Sequence, residues 1–302
     1  MLSFLLSKQE NEKVFFVYLI TVMVVAISVL MVGLNVTFFD FGRHEHLINS
    51  KLFGVSFIRN AGLLYNYGDI AIMFSFVTPF IIYNIASGNG FERLTAGTAL
   101  VVIALAAFVS LSRNVWLSCF VSFFTFIVFS LYAKKKIGLY VFIFSLLLFP
   151  VLVVFTDVFI FTTIDSLLHL RFEAVSSRTD QYEYALKQIS ENFFVGVGAK
   201  ASQVSAGYAI HNMFLNAMMR AGVGGLFFII IIFYTGYILS KKAANSTFDR
   251  MIVASYFGFV SAGMFYPAIS SSSPVVWITL GIFLVLSFES KSKARLNSFV
   301  YS

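Results

Sequence analysis

The sequence predicts an all-α protein: a polytopic transmembrane helical bundle of about eight spans, with one long external loop that carries an amphipathic helix. Three observations predict it. The 302 residues are 59% apolar and only 12% charged, and the mean hydropathy is +0.88. The apolar blocks run on for roughly 20 residues, enough to cross a hydrocarbon core of about 30 Å, and they do not alternate as barrel strands do. Lys and Arg collect in the short connections between them.

The first span, 14–34, is too long for the apolar core of a signal peptide and is followed by no small-residue cleavage site, so it is expected to stay as an anchor. The second and third, 68–86 and 94–111, are joined by a short connection with Arg93, and Arg113 separates the third from the fourth, 115–133. Lys134-Lys135-Lys136 lies between the fourth and the fifth, 137–155. The sixth, 221–239, is followed by Lys241, Lys242 and Arg250, then by the seventh and eighth, 251–269 and 271–288. The one cysteine, Cys119, falls inside the fourth span, so disulfides play no part. No internal repeat or Gly/Ser linker interrupts the chain, which reads as a single integral membrane domain over 1–302.

Topology follows from the basic connections. Placing the triple lysine, the Lys241 to Arg250 connection and the tail with Lys291, Lys293 and Arg295 in the cytoplasm makes both termini cytoplasmic. Cytoplasmic segments then hold 12 of the 21 Lys and Arg against five acids, and the rest of the chain holds nine against nine. The formal charge of +7 is a topology signal and gives no support to nucleic-acid binding, which requires basic residues on a solvated domain. Arg59, Arg113, Arg178 and His211 all fall on the non-cytoplasmic side, from which orientation bias depletes cations. An anionic ligand accounts for them.

The long excursion, 156–210, is external. Within it Ser177-Arg178-Thr179-Asp180 has the pattern of a helix start, with Ser177 as N-cap, and Tyr182, Ala185, Leu186 and Ile189 recur at helical spacing. An interfacial amphipathic helix of about four turns is expected, with Arg178 beside its positive end. Gly196-Val197-Gly198 ends the segment. His211 and Asn212 open a further helix, where an imidazole is held at the membrane surface, and Gly222, Gly224 and Gly225 suit a bend or close packing. In a regular helix Arg220 would lie about 13 Å from His211 along the axis, in a polar interior.

Three of these pieces resemble the O-antigen polymerase and ligase superfamily of bacterial envelope glycan synthesis. Ser110-Leu111-Ser112-Arg113 is similar to its Ser-Arg turn between helices, and Arg178 with Tyr182 resembles its external segment of Arg followed four residues on by Trp or Tyr. The third piece is Gly196-Val197-Gly198, then His211-Asn212-Met213-Phe214-Leu215, then Gly222-Val223-Gly224-Gly225-Leu226. The segment Arg59 to Tyr67 follows a further motif loosely and lacks its proline. Members of the superfamily usually carry more spans ahead of this region.

The resemblance implies a bacterial inner-membrane enzyme with a periplasmic active face. It implies transfer of an undecaprenyl diphosphate-linked oligosaccharide onto an acceptor sugar hydroxyl. The acceptor is another lipid-linked glycan in a polymerase, which is the preferred reading, or lipid A core in a ligase. The residue types fit that chemistry. Diphosphate is a good leaving group that needs charge stabilisation, which Arg113, Arg178 and Arg59 supply, while His211 serves as general base in a single inverting displacement. Asn212 and Arg220 are candidate supporting residues. The chain contains no Asp-x-Asp pair, and His44, His46 and His169 have no convincing ligand partners, so neither a metal nor another cofactor is expected. The expected partners are the lipid-linked donor, the acceptor and membrane lipids. A lipid-linked sugar transporter or flippase also needs an arginine-lined cavity, but transporters place charges near the bilayer midplane. A scaffold within a glycan assembly complex is the remaining alternative.

Overall fold

The computed structural model describes residues 8–33, 49–52, 55–58, 62–64, 66–110, 112–132, 173–198, 210–265 and 274–300. The expected span 137–155 lies outside them, as does Arg59. Two compact units divide the chain: Met1–Ile127 with Ser246–Ala262 and Ser273–Ser302, and Val128–Asn245 with Gly263–Ser272.

The first unit begins with α1 (Lys8–Gly33), followed by the strands β1 (Asn49–Leu52) and β2 (Val55–Ile58). The strands pair antiparallel with Leu52 opposite Val55, leaving two residues between them. Among the described residues this hairpin is the only sheet, and the other elements are helices. Its close spacing lets two short segments satisfy each other's backbone groups, a pairing that span-length hydropathy does not register.

Asn66 then caps α2 (Tyr67–Ser87) by accepting from the Gly68 N–H at 3.2 Å. The turn into α3 (Gly90–Val109) is a full capping box. The Glu92 N–H donates to the Asn89 side chain at 3.0 Å, and the Asn89 N–H donates to the Glu92 carboxylate at 2.9 Å. The remaining helices of this unit are α4 (Arg113–Tyr132), α8 (Thr247–Met264) and α9 (Pro274–Val300); in the second unit lie α5 (Glu173–Glu191), α6 (Met213–Ala221) and α7 (Val223–Lys242).

Pro79 organises the packing of the first unit. It has no N–H to donate to the carbonyl four residues back, that of Ser75, and Ser122 of α4 donates its hydroxyl there instead at 2.7 Å. One residue on, the Phe76 carbonyl accepts from Ser255 of α8 at 2.6 Å. Gly258 of α8 sits against the Cβ atoms of Ser75 and Ser122, so small side chains bring three helices together where the proline disturbs one of them. Around this point Tyr18, Phe76, Tyr256 and Phe283 form an aromatic knot joining α1, α2, α8 and α9, with ring centroids 4.6 to 5.6 Å apart along the chain of contacts.

Among the described residues, four helices are long and apolar enough to cross a membrane: Tyr67–Ser87, Gly90–Val109, Asn114–Leu131 and Val223–Lys242. They coincide with four expected spans to within a few residues. Val17–Gly33 and Pro274–Ser287 are shorter apolar stretches at the first and last expected spans, and α8 occupies most of the seventh.

Candidate functional site

The histidine position is built by its two neighbours in sequence. Ile210 is buried against Ala185 of α5 and Met219 of α6. On the other side Asn212 is the N-cap of α6, its side-chain oxygen accepting from Phe214 N–H at 3.0 Å and Leu215 N–H at 3.1 Å. His211 is therefore held between a buried anchor and a capped helix start, and its side chain is exposed. It stands two residues before Met213, the first residue of the helix that it was expected to open.

The helix carrying Arg178 docks on the same element. Ala185 of α5 is fully buried, with Tyr184 and Ile189 partly buried around it, and they pack against Leu215 and Met219 of α6. Gln181 continues that face and is buried. Arg178 stands three and seven residues before Gln181 and Ala185 in the helical register. Leu186, counted in the expected apolar stripe, is instead 57% exposed.

The helix does not begin where its sequence pattern suggests. The helix starts at Glu173, so Ser177 is no N-cap and Arg178 lies inside the helix. Glu173 puts an acid at the positive end, and no breaker separates it from Ser177, so the helix extends back through a serine able to cap it. The free N–H groups of this helix are thus not those beside Arg178.

The glycines of the two motifs seat the backbones of the two turns against each other. Gly196 has φ +74, and a Cβ there would lie 2.3 Å from the Arg220 carbonyl oxygen. Gly222 has φ +54, and a Cβ there would lie 2.4 Å from the Phe193 carbonyl oxygen. Only glycine permits backbone to approach backbone this closely in these conformations. Val197 N–H donates to the Met219 carbonyl at 2.9 Å and Val223 N–H to the Phe194 carbonyl at 3.4 Å, closing the clasp from both sides.

At Gly222 the chain turns sharply. Phe214 in the first turn of α6 stacks on Phe233 in the middle of α7, centroids 6.0 Å apart and planes within 9°, so α6 folds back toward α7. Arg220 consequently lies in the last turn of α6, ahead of the span, and not in a helix running on from His211 into the bilayer. Its buried Nε finds no hydrogen-bond partner among the described residues, and burial pulls the guanidinium pKa below its ordinary value.

The second unit thus brings together the elements that carry Arg178, His211, Asn212 and Arg220. Arg113 belongs to the first unit, where it is the first residue of α4, after buried Ser110 and Ser112. There the Asn114 side-chain amide donates to the Ala262 carbonyl at 3.1 Å and ties this helix start to α8.

Three buried polar residues escaped the sequence reading. Gln181 and Asn216 each hold a buried side-chain oxygen with no hydrogen-bond partner among the described residues, and Asn216 stands one turn from both Asn212 and Arg220. Asp69, 2% exposed, lies in the first turn of α2, where the helix dipole favours a carboxylate. A lone acid at the edge of an apolar block was the available signal. For Gln181 and Asn216, helical spacing from Ala185 and Arg220 was the only one.

Residues 98–230 match the family model for O-antigen ligase. The stretch runs from α3 into α7 and contains Arg113, Arg178, His211, Asn212 and Arg220, while Arg59 falls outside it. Over that stretch the resemblance drawn from the motifs holds. The family is one of membrane enzymes of the ligase and polymerase type. No curated protein and no solved structure matches the chain.

Proposed function

We propose that this protein is a membrane glycosyltransferase that moves an undecaprenyl diphosphate-linked oligosaccharide onto an acceptor sugar hydroxyl, acting as an O-antigen or surface polysaccharide polymerase in the bacterial inner membrane. The observation that carries the reading is the fixed, exposed position of His211, between buried Ile210 and the capping Asn212, in the unit that also holds Arg178. In this scheme the acceptor oxygen attacks the anomeric carbon and the bond to the diphosphate breaks. The acceptor proton passes to His211, and the electron pair leaves on the diphosphate. Arg178, Arg113 and Arg59 stabilise the charge that grows there, and one displacement inverts the anomeric centre. Asn212 acts by fixing the histidine, and Arg220 supplies a cation at the far end of the same short helix. No metal takes part.

The description of the matched family as O-antigen ligase favours a second reading, transfer to lipid A core. The two share donor, base and cations and differ in acceptor.

Purified protein in proteoliposomes, supplied with a lipid-linked oligosaccharide and either a second lipid-linked unit or lipid A core, tests both. Transfer is expected without an ion gradient, and EDTA is expected to leave its rate unchanged. His211→Ala is expected to lower turnover at least 100-fold with the protein still folded. Unchanged turnover in that variant refutes the base, and movement of the lipid-linked glycan across the bilayer without bond formation identifies a transporter instead.

A further inference from the structure

We propose that the turn Phe193-Phe194-Val195 is a membrane anchor that inserts among bilayer lipids at the end of α7 remote from Lys241 and Lys242, and sets the depth at which α5 is held. This inference requires only that α7 spans the membrane and is independent of the glycosyltransferase reading.

The turn presents three successive large apolar side chains, 40%, 80% and 83% exposed, with the two phenyl rings packed edge to face at 5.5 Å. Water is a poor environment for them, because removing large apolar side chains from it is favourable in proportion to the apolar area removed. They cannot retreat into the protein, since the backbone beneath them is bonded on both sides. Gly196 N–H donates to the Asn192 carbonyl at 2.8 Å, Val197 N–H to Met219 and Val223 N–H to Phe194. Gly222 lies directly against the carbonyls of Phe193 and Phe194.

Those bonds also fix the height of the turn. Phe194 is tied to Val223, the first residue of a 20-residue apolar helix. At 1.5 Å per residue such a helix is about 30 Å long, the thickness of the hydrocarbon core, so its two ends mark the two interfaces. Lys241 and Lys242 occupy one end and the turn occupies the other. In its first turns α7 exposes Leu226, Phe227, Ile230 and Ile231, so the apolar turn adjoins a surface whose solvent is lipid. Phe is among the apolar side chains that interfacial segments bury at the boundary between headgroups and acyl chains. Bilayer lipid is therefore the occupant, in preference to a second protein.

The consequence reaches α5. Its C-terminal end leads straight into the turn, and its Ala185 face is docked on α6. An anchored turn holds this helix, and with it the backbone of Arg178, at one level beside the membrane.

The single cysteine makes the test direct. In a Cys119→Ser background, Phe194→Cys carries a nitroxide label, and the protein is reconstituted in vesicles of phosphatidylethanolamine and phosphatidylglycerol. Collision with oxygen, which concentrates in lipid, is compared with collision with a water-soluble nickel chelate. Phe227→Cys in the span and Asn245→Cys in an exposed turn serve as references. Position 194 is expected to follow Phe227, with oxygen collisions several-fold above the Asn245 reference and little access for the chelate. Chelate access matching Asn245 places the turn in water and overturns the anchor. Low collision with both probes shows the turn covered by protein and overturns it equally. Val195→Cys provides the same readout should the variant at 194 fail to fold.

Discussion

The two units satisfy disturbed backbone by opposite means. Around Pro79, side chains do it: the hydroxyls of Ser122 and Ser255 reach the carbonyls of Ser75 and Phe76 from neighbouring helices. Around Gly222, backbone does it alone, with two glycine turns pressed together where no Cβ fits. The two units therefore tolerate change at different places. A hydroxyl that bridges a gap can be removed for the cost of one hydrogen bond, whereas a glycine in backbone contact leaves a new side chain no space.

That contrast orders the effects of substitution. The largest is expected from Gly222→Ala, which combines a positive φ, a ψ of −124 and a Cβ 2.4 Å from the Phe193 carbonyl oxygen. A loss of about 3 kcal/mol or more is expected, visible as a collapse of thermal stability in detergent and of folded yield. A thermal midpoint equal to that of the parent protein would show that the turn accommodates a Cβ at this position.

Asn212→Ala removes both cap bonds of α6 and is expected to destabilise by about 1–2 kcal/mol. Its effect on turnover should exceed its effect on stability, because the cap also orients His211. Asn212→Asp, which preserves the acceptor oxygen, should recover most of the stability. If Ala and Asp behave alike in both assays, the cap does not position the histidine.

A smaller effect, about 1 kcal/mol, is expected from Ser122→Ala, which leaves the Ser75 carbonyl without its donor. The sharper form of this test is a double-mutant cycle. Pro79→Ala restores an N–H able to bond that carbonyl, so Ser122→Ala should cost less in the Pro79→Ala background than alone. Additive effects would separate the serine from the proline. The smallest change, within about 0.5 kcal/mol, is expected for Leu186→Ser, since this residue lies away from the docked face of α5. A loss comparable to that of Asn212→Ala would place Leu186 in a contact.

Much of this architecture was legible in one dimension. Spans 68–86 and 221–239 correspond to Tyr67–Ser87 and Val223–Lys242 because a membrane helix is specified by the length and apolarity of a local window. The motif glycines could be named as a bend or a packing site, but nothing local shows that Gly196 lies against Arg220 while Gly222 lies against Phe193. The start of α5 was misplaced because Ser177 can cap a helix or lie within one, and the upstream residues made the helix the better choice. Gln181 and Asn216 were missed because a polar residue on a helix reads as solvated until its neighbours are known.

The helical class and the approximate positions of the four spans found among the described residues were determined by the amino-acid sequence alone, since partition between water and hydrocarbon sums contributions residue by residue along a short window. The fold-back of α6 toward α7, the glycine clasp and the burial of Arg220 Nε were decided only by tertiary structure. Each depends on which distant backbone segments come within bonding distance, and such contacts form only when the whole unit assembles.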